Sequence, residues 1–183
     1  MRVFTGLPLA GEIINRLGEA GNYLKNQYPG LKIVNPEGFH ITLFFFGEIP
    51  DKKVDHLMAL MDDPSLAGNK LELLFRGYGC FPTSGNPRVI YGQIGSGKEN
   101  ISHYREKYIQ ILNKGGFDTA RDNKPFKVHV TLARNKRETL KPTILNQLPP
   151  LSEKCILDRL VLFQSVLTPK GARYTPLKTI MFR

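Results

Sequence analysis

Tryptophan is missing from this 183-residue chain, and cysteine occurs only twice, as Cys80 and Cys155. Neither cysteine has metal-ligand spacing, and two thiols do not make a disulfide framework. Cys155 falls in an apolar, strand-like run, where a buried free thiol is the expectation. Long apolar runs are missing too. The longest strongly apolar stretch, Ile41 to Phe46, is far shorter than the ~20 residues of a membrane-spanning helix. The opening Met1-Arg2-Val3-Phe4 is followed by Pro8 and Glu12, which is unlike a secretory signal, so a cytoplasmic protein is expected. The His-Glu-x-x-His and His-x-Glu patterns of zinc sites do not occur, and no metal or other cofactor is expected. Gly92-Gln93-Ile94-Gly95-Ser96-Gly97-Lys98 resembles a phosphate loop but has the wrong spacing. It reads as a strand end turning into a helix.

Acidic residues are the under-represented charge. There are 16 against 26 lysines and arginines, a formal net charge of +10. Such a balance favours polyanionic partners. The excess is concentrated over 121–141, where Arg121, Lys124, Lys127, Arg134, Lys136, Arg137 and Lys141 face only Asp122 and Glu138. Most of these bases read as a solvated face. The segment stands out because it brackets His129.

Hydrophobic spacing and turn residues divide the chain. Residues 2–7 read as a strand broken by Pro8. Ile13, Leu17, Ala20, Leu24 and Tyr28 form the stripe of a helix from about Leu9 to Gln27, ended by Pro29-Gly30. A short strand over Leu31 to Val34 and a turn at Asn35-Pro36-Glu37-Gly38 lead into a strand from Phe39 to Phe46. A helix from Asp51 to Met61, with Asp51 as its cap, carries Val54, Leu57, Met58 and Met61 on one face. Strands over Lys70 to Gly77 and Arg88 to Ile94 flank a loop from Phe81 to Pro87. A second long helix from Lys98 to Asn113 has Ile101, Tyr104, Tyr108, Ile111 and Leu112 as its stripe and stops at Gly115-Gly116. Phe126 to Arg134 reads as a further strand, and a short helical turn follows Pro142. Ile156 to Leu167 and Arg173 to Phe182 form a final hairpin around Thr168-Pro169-Lys170-Gly171. The order predicts an α+β fold over 1–183 as a single domain. Its two similar lobes carry antiparallel sheets that flank a central cleft, with helices outside.

Within this pattern a tetrapeptide recurs. His40-Ile41-Thr42-Leu43 and His129-Val130-Thr131-Leu132 lie about half a chain apart, each in a predicted strand. Side chains alternate along a strand, so His40 shares a face with Thr42 and His129 with Thr131, while the aliphatic pair of each motif points into a core. Two imidazoles suit phosphodiester chemistry near neutral pH. One, neutral, accepts a proton from an attacking hydroxyl or water. The other, protonated, gives one to the departing oxygen. The threonine hydroxyls can hold non-bridging oxygens, and a guanidinium can neutralise the charge developing there. Arg134 is the candidate. Its odd offset from His129 puts it on the wrong face of an ideal strand, so a bend is required. His56 and His103, on predicted helices, read as surface residues.

The chain resembles the RNA 2′,3′-cyclic phosphodiesterases, historically called 2′-5′ RNA ligases, of the two-histidine phosphoesterase superfamily. The resemblance runs from Met1-Arg2-Val3-Phe4 through Gly38 to Leu43, Phe46-Gly47-Glu48-Ile49, Phe81-Pro82, Pro87-Arg88-Val89-Ile90 and Lys124 to Arg134. It ends with Leu162-Phe163-Gln164-Ser165 and Gly171-Ala172-Arg173-Tyr174. The family's tryptophan before the first motif is absent, and its lysine after that motif is Phe44 here. The resemblance implies that His40 protonates the leaving 3′-oxygen, that His129 activates water, and that Thr42, Thr131 and Arg134 hold the phosphate. The product would end in a 2′-phosphate, and a 5′-hydroxyl acceptor would give a 2′-5′ linkage in reverse. The implied partners are RNAs with 2′,3′-cyclic phosphate ends, tRNA fragments among them, met by a monomer away from membranes. Two alternatives stay open. One is a non-catalytic RNA-binding module that stacks bases on Phe44-Phe45-Phe46. The other keeps the fold and acts on 2′-5′ oligonucleotides or a cyclic ADP-ribose phosphate, with residues 80–88 and 117–125 deciding the substrate.

Overall fold

The structure is a computed structural model that describes residues 1–120, 125–168 and 171–183. Among these the chain runs β1 (Arg2–Pro8), α1 (Glu12–Gln27), β2 (Leu31–Ile33), β3 (His40–Glu48), α2 (Asp51–Leu60), β4 (Leu71–Phe81), β5 (Val89–Ser96), α3 (Lys98–Lys114), β6 (His129–Asn135), β7 (Ser152–Leu157), β8 (Arg159–Thr168) and β9 (Gly171–Met181). Short 3₁₀ turns cover Pro36–Gly38, Pro64–Leu66 and Pro142–Gln147. The strands form two antiparallel sheets, one ordered β3-β1-β8-β9 and the other β2-β6-β5-β4-β7. No described helix is long and apolar enough to cross a membrane. Arg121 and Lys124 of the basic segment, Pro169 and Lys170 of the expected turn, and 121–124 of the 117–125 loop lie outside the described residues.

The α+β class and the two-lobed plan hold, with corrections of detail. The first helix starts at Glu12, not Leu9, because Gly11 turns the chain at a positive φ of 82°. Ile13, Leu17, Ala20 and Leu24 are its buried stripe. The cap of α2 is Pro50, and Asp51 occupies its first turn. The expected strand from Ile156 to Leu167 is two strands parted at Asp158. They belong to different sheets, so the apolar run marks a crossing between lobes. Nor are the lobes the two halves of the chain. β2, from the first half, pairs with β6 in the second sheet, while β8 and β9 complete the first sheet.

One hydrophobic core joins the elements, with α1 packed on β2, β6 and β7, and α3 on α2, β4 and β5. Cys80 and Cys155 are buried free thiols. The end of β6 is tied by Asn135, which is 3% exposed. Its Nδ2 donates to Asn86 Oδ1, Pro87 O and Glu138 O at 3.1, 2.9 and 2.9 Å, and its Oδ1 accepts from the amides of Arg137 and Glu138. One amide thereby holds the loop after β4 to the exit of β6, and polar groups this buried are costly to orphan. Replacing Asn135 with Ala is expected to lower the free energy of unfolding by roughly 3 kcal/mol, measured by urea denaturation.

Candidate active site

Each histidine is the first residue of its strand, and β3 and β6 pack against each other across the two sheets. His40 and His129 are held alike. His40 Nδ1 bonds Gly38 O at 2.6 Å and His129 Nδ1 bonds Lys127 O at 2.7 Å, each reaching back two residues. A carbonyl can only accept, so Nδ1 carries the proton in both rings and Nε2 is the nitrogen left for chemistry. His40 Nε2 meets the Thr42 hydroxyl at 3.0 Å, which places this histidine and its threonine on one face as alternation predicts.

Arg134 reaches the same face through a β-bulge. Across the β5–β6 ladder, Ile90 faces Ala133 and Tyr91 faces Thr131, so Leu132 is an extra residue. One inserted residue reverses the alternation beyond it. Leu132 and Ala133 are therefore both buried, and Arg134 returns to the side of His129 and Thr131. The first motif does the same. Thr5 faces Phe44 and Gly6 faces Thr42, leaving Leu43 extra. Through their first seven residues β3 and β6 alternate identically between buried and open positions. The Phe44-Phe45-Phe46 run divides accordingly. Phe44 and Phe46 pack together in the core with ring centres 4.8 Å apart, while Phe45 is 46% exposed.

Aromatic rings seat both imidazoles. Phe4 lies 4.7 Å from His40, ring centre to ring centre, and Tyr174 meets its edge at 5.3 Å, with Phe163 behind at 6.1 Å. Phe81 and Tyr91, stacked on each other, meet His129 edge-on at 5.4 and 5.5 Å. Beneath His40 lies Gly6, where a Cβ would come within 3.0 Å of both the imidazole Cδ2 and the Ile41 carbonyl oxygen. The bond from Arg105 Nε to Leu43 O, 2.8 Å, holds the first bulge from α3, and the same guanidinium lies over the Phe126 ring at 4.5 Å. A recess of about 320 Å³ opens beside His129, lined by Phe81, Tyr91, Gln93, Lys98, Phe126 and Lys127 among others.

Burial decides the electrostatics. It drives the pKa of His40 down from 6.5 to about 4, against the Gly38 hydrogen bond, with Arg134 and His129 pushing the same way. Burial and then Arg134 also lower His129, against its bond to Lys127. The Arg134 charge thus reaches both imidazoles, which rise from different sheets. Sequence reasoning misses the aromatic seats and Arg105. Phe4, Phe81, Phe163 and Tyr174 lie within the segments that carry the resemblance, whereas Arg105 sits in an unremarked polar stretch of helix. His56 and His103 are exposed and apart from the cleft. His56 bonds Gly115 O and stacks on Phe117, and His103 faces Glu106.

Known proteins share this arrangement of chain. The family model described as LigT like phosphoesterase matches residues 7–91. An RNA 2′,3′-cyclic phosphodiesterase of Archaeoglobus fulgidus is 34% identical over 154 residues, covering 81% of this chain and 82% of the relative. One of Thermus thermophilus is 30% identical over 186 aligned positions, covering 100% of this chain and 91% of the relative. The crystal structure of TT0787 of Thermus thermophilus is similar with a TM-score of 0.85 at 29% identity, covering 100% of this chain and 98% of that one.

Three outcomes follow from the geometry. Gly6→Ala forces the His40 ring and the Ile41 backbone apart, and should cost roughly 1–3 kcal/mol of stability and most of the activity of the site, read by denaturation and turnover together. The folded protein binds the His40 proton more weakly than the unfolded chain does. Stability should therefore fall as pH drops from 6.5 towards 4. An anion placed between the imidazoles favours the charged ring, so added phosphate should raise the His40 pKa in an NMR titration. An unmoved resonance would contradict that placement.

Proposed function

The chain belongs to the LigT-like phosphoesterases, and from that footing we propose that it hydrolyses RNA 2′,3′-cyclic phosphate ends to 2′-phosphomonoesters with His129 as base and His40 as acid. The observation that carries the assignment is the matched pair of imidazoles, one from each sheet, both with Nδ1 tied to a carbonyl and both within reach of Arg134. His129 Nε2 takes a proton from water as its oxygen attacks phosphorus. The P–O3′ bond breaks, and His40 Nε2 delivers a proton to O3′. Thr42 and Thr131 hold non-bridging oxygens, and Arg134 neutralises the charge that gathers on them.

The lowered pKa values fit the two roles differently. A dehydrated, neutral His129 is ready to accept a proton at neutral pH. His40 must be charged before it can act, and the anionic phosphodiester supplies the field that charges it, with the Thr42 hydroxyl free to turn to the phosphate. A 5′-hydroxyl in place of water would leave its nucleoside in the recess beside His129 and would yield a 2′-5′ linkage. Both imidazoles come from one chain, which supports a monomer as the working unit. The two buried thiols suit a reducing, cytoplasmic setting, where tRNA fragments would be among the substrates.

Short RNA ending in a 2′,3′-cyclic phosphate, incubated in EDTA, should be opened to a 2′-phosphate, identified by mass spectrometry and phosphatase sensitivity. His40→Ala and His129→Ala should each lower kcat/KM by about 10²–10⁴-fold with the fold kept, and the wild-type pH profile should be bell-shaped. Full activity of either variant would sink the assignment. RNA binding without turnover would return the protein to a binding module.

A further inference from the structure

The bulge in β3 gives Phe45 the position that Arg134 holds in β6, so one lobe offers a phenyl ring where the other offers a guanidinium. A guanidinium arrives there from the neighbouring strand. Arg2 Cζ lies 4.6 Å from the centre of the Phe45 ring. β1 pairs with β8 in unbroken register from Val3 to Gly6, so Phe4 and Gly6 share one face of β1, and the Arg2 guanidinium joins that side over Phe45, the residue opposite Phe4. Phe4 and Gly6 are the floor under His40, and Arg2 continues it. The Arg2 charge is felt by Tyr174, the ring at the edge of His40, as is that of Arg134.

Glu48 stands opposite Arg2 in the ladder, yet Arg2 Nε is buried with no hydrogen-bond partner among the described residues. An arginine with only a solvated role keeps its head in water. This one has its Nε out of water and its guanidinium carbon over a ring, which leaves the fork's remaining donors for an anion.

We propose that Arg2, backed by Phe45, binds the phosphate on the 5′ side of the nucleotide bearing the cyclic end, so that the site favours RNA chain ends over free cyclic mononucleotides. The proposal rests on the placement of His40 at the leaving oxygen. Entering and leaving oxygens lie on opposite sides of phosphorus. The ribose that carries O3′ therefore lies on the His40 side, against the sheet that holds Arg2. At roughly 3.3 Å per residue, Arg2 stands about 13 Å along β1 from Gly6. That is past the scissile phosphate and towards the next one up the chain. A cyclic mononucleotide has only a hydroxyl to offer there.

The test compares adenosine 2′,3′-cyclic phosphate with the dinucleotide ApA ending in a 2′,3′-cyclic phosphate, using wild type, Arg2→Ala and Arg2→Lys. Arg2→Ala should lose about tenfold in kcat/KM on the dinucleotide, through KM, and stay within about twofold on the mononucleotide. Arg2→Lys should recover part of the loss, since it restores the charge without the fork. The dinucleotide's dependence on log salt should flatten by about one unit in Arg2→Ala. Equal losses on both substrates would put Arg2 on the scissile phosphate and overturn the proposal, as would no loss on either. Equilibrium binding of the 2′-phosphate products of the same two substrates repeats the comparison without turnover. Inactive wild type would thus sink the catalytic assignment alone, while the binding ratio still decides Arg2.

Discussion

The supernumerary residue that directly follows each His-x-Thr governs this cleft. Were Leu43 and Leu132 in register instead of bulged, simple alternation would bury the residue five positions after each histidine and turn the one before it outward. With the bulges, two successive side chains enter the core and that residue returns to the face of the histidine. The group of side chains on the histidine's face of each strand is thus three long instead of two. The device also explains why α3 reaches across to the Leu43 carbonyl through Arg105. A bulge leaves backbone groups outside the ladder, and a guanidinium is a strong partner for one of them.

Much of this was legible in the residues, because the two motifs obey alternation where it applies. The pairing of His40 with Thr42 needed only period two. Arg134 looked misplaced because period two fails at a bulge. The sign of that failure was nonetheless printed in the chain: Leu43-Phe44 and Leu132-Ala133 are consecutive apolar pairs where one of each should have faced water. Asp158 was harder to see as a boundary. The apolar residues on both sides of it are buried, in different sheets, and composition carries no record of which sheet a strand joins. The membership of β2 in the far lobe was hidden for the same reason, since pairing partners are a property of the assembled core.

The aromatic seats show a tension in using histidine inside a cleft. Rings around an imidazole fix its orientation and strip its water, and dehydration works against its charged form. The main-chain carbonyls at Gly38 and Lys127 oppose that effect and set the tautomer, but they do not outweigh it at either ring. In the proposed reaction, an acid built this way stays inert until its anionic ligand is present. Coupling protonation to occupancy keeps the two imidazoles from being charged together in the empty cleft, where Arg134 already repels both.

The interleaving of the lobes has a consequence for how such a molecule can be divided. A break in the chain between the two His strands would leave a first fragment holding β1 and β3 without β8 and β9, and a second holding β8 and β9 paired only with each other. Each fragment would carry one imidazole on an unfinished sheet. The cleft is thus completed only when segments from both sides of such a break come together.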